Sequence, residues 1–131
     1  MEAAQRYLEA MERLSVGSDR WAMATAAAFN MLAQEVCDEV AKPEWWNDEG
    51  LKALSARVVR VGADDEIANQ MRAMVLSGQF GDSWGAGTRS AVQFEKAAKH
   101  FDRAAALCSA PAGKADHAGD AELCRRRAEV A

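Results

Sequence analysis

β-Branched residues are scarce in this sequence: one isoleucine, two threonines and nine valines stand against 29 alanines. Strands favour the missing residues and alanine is the best helix former, so an all-β fold is excluded and a parallel-sheet enzyme fold disfavoured. No apolar run approaches the roughly 20 residues that a membrane span needs. The start, Met1-Glu2-Ala3-Ala4-Gln5-Arg6, lacks the basic start and apolar core of a signal peptide. An excess of positive charge is also missing. The formal net charge is −4, and no nucleic-acid partner is expected. Cysteines are few: Cys37, Cys108 and Cys124 are odd in number and widely spaced. A disulfide framework is dense and even, so a cytoplasmic or other reducing intracellular compartment is expected. What is present is 131 residues, half of them apolar and 27% charged. That size fits a single domain over 1–131.

The spacing of apolar residues predicts six helices. The first covers about 2–15, with Ala3, Tyr7, Ala10, Met11 and Leu14 on one face, and Gly17 ends it. The second, about 19–41, starts at a Ser18 or Asp19 cap and is stopped by Pro43. Its dense apolar run from Trp21 to Leu32 predicts burial over most of its circumference. The third, about 48–61, is capped by Asn47 or Asp48, with acids first and Arg57 and Arg60 last, the order that the helix dipole favours. The fourth covers about 64–77. Residues 78–88 hold four glycines and read as a loop. The fifth covers about 89–109, Pro111 and Gly113 form a turn, and the sixth covers about 114–129.

The chain echoes itself. Residues 14–34 align with 59–79 at an offset of 45, matching Val16-Gly17-Ser18-Asp19 to Val61-Gly62-Ala63-Asp64, Ala28 to Ala73 and Gln34 to Gln79. Ala3-x3-Tyr7-x2-Ala10 has the form of Ala97-x3-Phe101-x2-Ala104. The stripe of small, aromatic and small residues resembles the second helix of a tetratricopeptide repeat (TPR). Leu76-Ser77-x2-Phe80 is similar to the Leu-Gly-x2-Tyr element of that family's first helix, and Leu32-Ala33-x2-Val36 is a fainter copy. Gly17-Ser18-Asp19-Arg20-Trp21-Ala22 resembles the start of its longer-helix versions. The resemblance implies an all-α fold of antiparallel helical hairpins stacked as a short right-handed TPR-like solenoid. The chain would be a small array or a piece of a longer one. It also implies a groove lined by first-type helices, which places Asn30 and Gln34 of the second helix, and Met71 and Met74 of the fourth, towards a ligand.

Residue chemistry adds further expectations. Of Trp45 and Trp46, one packs against the third helix and the other is a partner contact, since tryptophan is enriched at interface hot spots. Trp84, set among glycines, either tucks back onto the helices or meets a partner. Asp116, His117, Asp120 and Cys124 gather on the last helix, with His117, Asp120 and Cys124 at i, i+3 and i+7. Zinc or iron could use such groups, but the same residues also suit a solvated first turn and a buried thiol. No metal and no other cofactor is expected, with His117, Asp120 and Cys124 as the alternative. Cys108 and Cys124 would lie roughly 15 Å apart along an antiparallel pair, too far for a disulfide. His100 has no nucleophile or acid pattern beside it and reads as structural. Arg125, Arg126 and Arg127 fan around their helix rather than forming a stripe.

The function these features point to is non-catalytic: an interaction or scaffold module that binds a peptide or a neighbouring subunit. Self-association through uncapped terminal helices is a related expectation. The alternative is a small helical-bundle enzyme or metal- or ligand-binding protein, with a pocket using His100, His117 or Cys124.

Overall fold

The computed structural model describes residues 2–34 and 42–131. Among them are six helices and no strand: α1 (Glu2–Arg13), α2 (Asp19–Gln34), α3 (Asp48–Val61), α4 (Glu66–Ser77), α5 (Ala91–Leu107) and α6 (Pro111–Val130). A single 3-10 turn covers Gly81–Ser83. The chain is therefore all-α. No helix among the described residues is long and apolar enough to cross a membrane. The expected continuation of α2 to residue 41, with Cys37, lies outside the described residues.

Local chemistry sets the boundaries. The Ser18 hydroxyl accepts from the Trp21 N–H at the start of α2. The Asn47 side chain accepts from the Gly50 N–H at 2.7 Å and caps α3. Asp65 caps α4 through the Ala68 N–H at 2.8 Å, so that helix starts two residues later than its spacing suggested. Gly78 ends α4 in the left-handed region, φ 71°, where only glycine is at ease. Ser90 and Gln93 form a reciprocal capping box, which moves the start of α5 from 89 to Ala91. The predicted turn at Pro111 and Gly113 is instead the first turn of α6. Proline suits the first helical position because its missing N–H would find no intrahelical acceptor there.

Each helix packs on its neighbour in sequence, and α2 also reaches α4. The fourth helix, enclosed by α2, α3 and α5, is buried along most of its circumference. Phe29, Leu32, Leu51, Val58, Met71, Met74 and Phe101 form the centre of the core. Alanine lets the backbones approach: Ala26, Ala28, Ala73, Ala97, Ala104 and Ala121 are all fully buried. At the offset of 45, Ala26 and Met71, Ala28 and Ala73, and Phe29 and Met74 are buried at both members of each pair. The flanking geometry is not repeated, since φ is +90° at Gly17 and −102° at Gly62. The second echo also divides. Ala97, Phe101 and Ala104 are buried together, whereas Tyr7 is exposed.

Residues 78–88 are pinned rather than loose. Trp84 is buried, and its ring lies 5.6 Å from Phe29 and 5.9 Å from Trp46. The Trp46 Nε1–H donates to the Ser83 carbonyl at 2.8 Å, and the Trp84 Nε1–H donates to Asp48 Oδ1 at 3.1 Å. Asp48, the first residue of α3, receives both arms of the buried Arg89 guanidinium at 2.6 and 3.0 Å. Arg89 also donates to the Val75 carbonyl near the end of α4.

The Arg89 guanidinium, with help from Lys52 and Trp84, holds the Asp48 carboxyl well below its ordinary value of 3.8. This stabilisation is complete above that value and is lost as pH falls from there towards the lower folded value. Asp48→Ala leaves Arg89 buried without its anion, so urea unfolding at pH 7 is expected to show a loss of about 3 kcal/mol. The gap between the variant and the natural sequence should narrow in strong acid.

Candidate functional site

The small residues that let α2 pack closely also leave a furrow on its outer side. Ala24 and Ala27 form its floor, Tyr7, Ala10 and Leu14 of α1 and its end form one wall, and Ile67 of α4 lies opposite. The hollow holds about 400 Å³ and its lining is mainly apolar. Met23 stands at its edge, 59% exposed, and Tyr7 is 38% exposed. Met23 also borders a second hollow, of about 330 Å³, against Val61–Asp65. At the other end the furrow runs into a hollow walled by Arg6, Arg13 and Arg20, with Glu9 beside them. Apolar side chains thus meet a cationic margin at the α1 end of the furrow, whereas Asp65 lines its other side and Asp19 and Asp64 border the hollow beyond Met23.

The expected partner residues divide between this face and the core. Met23, Ala27 and Asn30 fall at i, i+4 and i+7, one line along α2, and Asn30 is half-buried on it. Gln34 continues that spacing, but its side chain lies outside the described residues. Met71 and Met74 do not line an open groove. They are 1% and 2% exposed because α4 is enclosed on several sides, and the repeat alignment itself equates them with buried Ala26 and Phe29. Trp46 and Trp84 are likewise committed to the core with Phe29, so neither offers a free face to a partner. Trp45 is half-buried and borders a separate small hollow with Leu8, Met11 and Lys42. Tyr7 and Met23, the exposed apolar residues of the furrow, were missed by sequence reasoning because both sit in stretches that read as buried face.

The alternative metal trio does not assemble. His117 and Cys124 are separated by roughly 10 Å of helix rise, and each member meets a different neighbour. Burial pushes the Asp120 carboxyl up, opposed by its hydrogen bond with Gln79 and by His117. Burial likewise raises the Cys124 thiol, which lies beside Ser77. His117 instead meets Glu66, Nε2 to Oε2 at 2.9 Å. Cys108 and Cys124 are both buried free thiols. In the basic run, Arg125 pairs with Asp102 of α5.

His100 is tied into the core's polar edge. The Asn69 amide donates to the carbonyls of Ala63 and Asp65, so its Oδ1 is the acceptor and His100 Nδ1 carries the proton. Arg72, which donates to the Lys52 carbonyl and the Ser55 hydroxyl, lies near enough to repel a charged imidazole. Burial first, and Arg72 second, lower the His100 pKa. The network holds the α3–α4–α5 packing in register.

Neither a family model, nor a curated protein, nor a solved structure matches the chain.

Unfolding exposes His100 to its ordinary pKa of 6.5, whereas the folded imidazole resists protonation. Stability from this residue is therefore present above pH 6.5 and is lost as pH falls from there towards the lower folded value. His100→Gln keeps a donor for Asn69, and denaturant melts between pH 7.5 and 5 are expected to show a shallower pH dependence for the variant.

Proposed function

We propose that the protein is a non-catalytic interaction module, built as a short TPR-like array of helical hairpins. Its α1–α2 furrow receives one amphipathic helix of a partner protein, with acidic residues beside the apolar stripe. The observation that carries this reading is the combination of exposed Met23 and Tyr7 over an apolar furrow with Arg6, Arg13 and Arg20 at its margin. Exposed methionine and tyrosine side chains are large, adaptable contacts, and recognition of a helix in a groove uses apolar anchors at i, i+3 and i+4. At the end held by Arg6, Arg13 and Arg20 the cationic margin selects an acidic flank on the partner. The 16 residues of α2 extend about 24 Å, enough to accompany a helix of four turns.

The repeat reading is supported by neighbour-on-neighbour packing and by the matched burial of Ala26 with Met71, Ala28 with Ala73 and Phe29 with Met74. The scaffold role follows from the same arrangement, because a row of hairpins presents one long face rather than a closed pocket.

Selection of a displayed library of helical peptides against the purified protein tests the reading. Enriched peptides are expected to carry an apolar stripe flanked by Asp or Glu. Met23→Asp should weaken their binding by about tenfold or more, equal to at least about 1.4 kcal/mol. Enrichment of basic or featureless peptides, or binders that ignore Met23→Asp, would overturn it.

A further inference from the structure

We propose that Glu66, Cys108 and His117 form a binding site for a zinc-type divalent ion that clasps α6 to the start of α4 and the end of α5. Their donor atoms all lie within 4.8 Å of one another, and this is the one such group of three among the described residues. The three come from separate elements: Glu66 is the first residue of α4, Cys108 follows the last turn of α5, and His117 lies in the second turn of α6. Their convergence is therefore a product of tertiary folding rather than of a helical repeat.

The surroundings of His117 point to an unfilled bond. The residue is 5% exposed, Nε2 is bonded to Glu66, and Nδ1 is buried with no hydrogen-bond partner. A buried imidazole normally satisfies both nitrogens. Cys108 is equally enclosed, and its Sγ reaches only a long contact with the Ala110 carbonyl at 3.5 Å. Space for that sulfur is kept by Gly113, where an added Cβ would come within 2.6 Å of it. Glu66 is the half-buried member, its side chain 31% accessible, so an ion and its last water have a way in from that side.

The donor set selects the ion. Thiolate, imidazole and one carboxylate suit a borderline-soft metal, whereas calcium and magnesium want oxygen alone. Zinc holds sulfur at about 2.3 Å and nitrogen or oxygen at about 2.0–2.2 Å, which sets ligand-to-ligand separations of roughly 3.3–3.7 Å. From separations of at most 4.8 Å the sulfur needs to close on the other two donors by roughly an ångström, while His117 and Glu66, now 2.9 Å apart, open by a few tenths. Metal sites with a cysteine ligand bind the thiolate, so metal binding of this kind weakens as pH falls. The ion's role here is structural. It reinforces the polar link, His117 to Glu66, by which α6 reaches the start of α4.

Titration of the reduced protein with Co(II), followed by displacement with Zn(II), reads the site directly. One equivalent of cobalt is expected to bind, with the intense near-ultraviolet band of thiolate-to-cobalt charge transfer. Cys108→Ser should abolish that band, and Cys124→Ala should keep it. Loss of an outer-shell partner costs metal sites 10–100-fold, so His117→Gln and Glu66→Gln, which remove ligands, are expected to weaken binding by about 100-fold or more. Zinc at a hundredfold excess over its dissociation constant should raise the melting temperature on the order of 10 °C. That rise should disappear in Glu66→Gln, a change at the half-buried member that spares the core if the buried variants fail to fold. Absence of tight one-to-one binding, a charge-transfer band that survives Cys108→Ser, or a zinc-induced rise that survives Glu66→Gln would each overturn the proposal.

Discussion

The buried fork between Arg89 and Asp48 is the constraint on which the centre of the molecule depends. A guanidinium taken out of water needs partners for its charge, and here both NH2 groups bond one carboxylate and also reach the Val75 and Gly87 carbonyls, leaving only the buried Nε–H unpaired. Meeting them brings the first residue of α3, the end of α4 and the segment before α5 to one point. Gly78 turns the chain in the left-handed region there, packed against the Arg89 side chain. Trp84 is carried along with this segment, and its indole closes over Phe29 beside Trp46. An acidic residue that opens a helix, an arginine before a capping box and a glycine-rich stretch thus act together as one joint.

Much of the fold was legible because its signals are local. The abundance of alanine over β-branched residues gave the helical class, and Asn47, with the charge order along its helix, gave the full extent of α3. Where boundaries moved, a neighbouring side chain decided the matter: Asp65 rather than Asp64 caps α4, and Ser90 paired with Gln93 fixes the start of α5. Pro111 with Gly113 suggested a turn, although proline at a first helical position assists the helix it opens. The glycine-rich segment hid the rest. Nothing within 78–88 announces that Trp84 will find Asp48, a partner 36 residues away.

The candidate site was less legible, for a related reason. Periodicity identifies a face of a helix but not what covers it. The expected contact Asn30 lies half-buried on the outer line of α2, yet Met23, the most exposed described residue on that line, was absorbed into an apolar run. The same logic carried to α4 went astray, because Met71 and Met74 occupy the aligned places of Ala26 and Phe29 and are covered as they are. His117, similarly, was grouped with residues of its own helix, whereas its nearest donors, Glu66 and Cys108, arrive from elsewhere in the chain.

Packing each helix on its sequence neighbour has a kinetic consequence. Most native contacts close over short stretches of chain, so little loop entropy is lost before burial begins to repay it. Hairpins such as α5–α6 are suited to assembling early and serving as a template for the next helix. The long-separated contacts, Arg89 to Asp48 and His117 to Glu66, close the longer loops and so carry the larger entropy cost of formation.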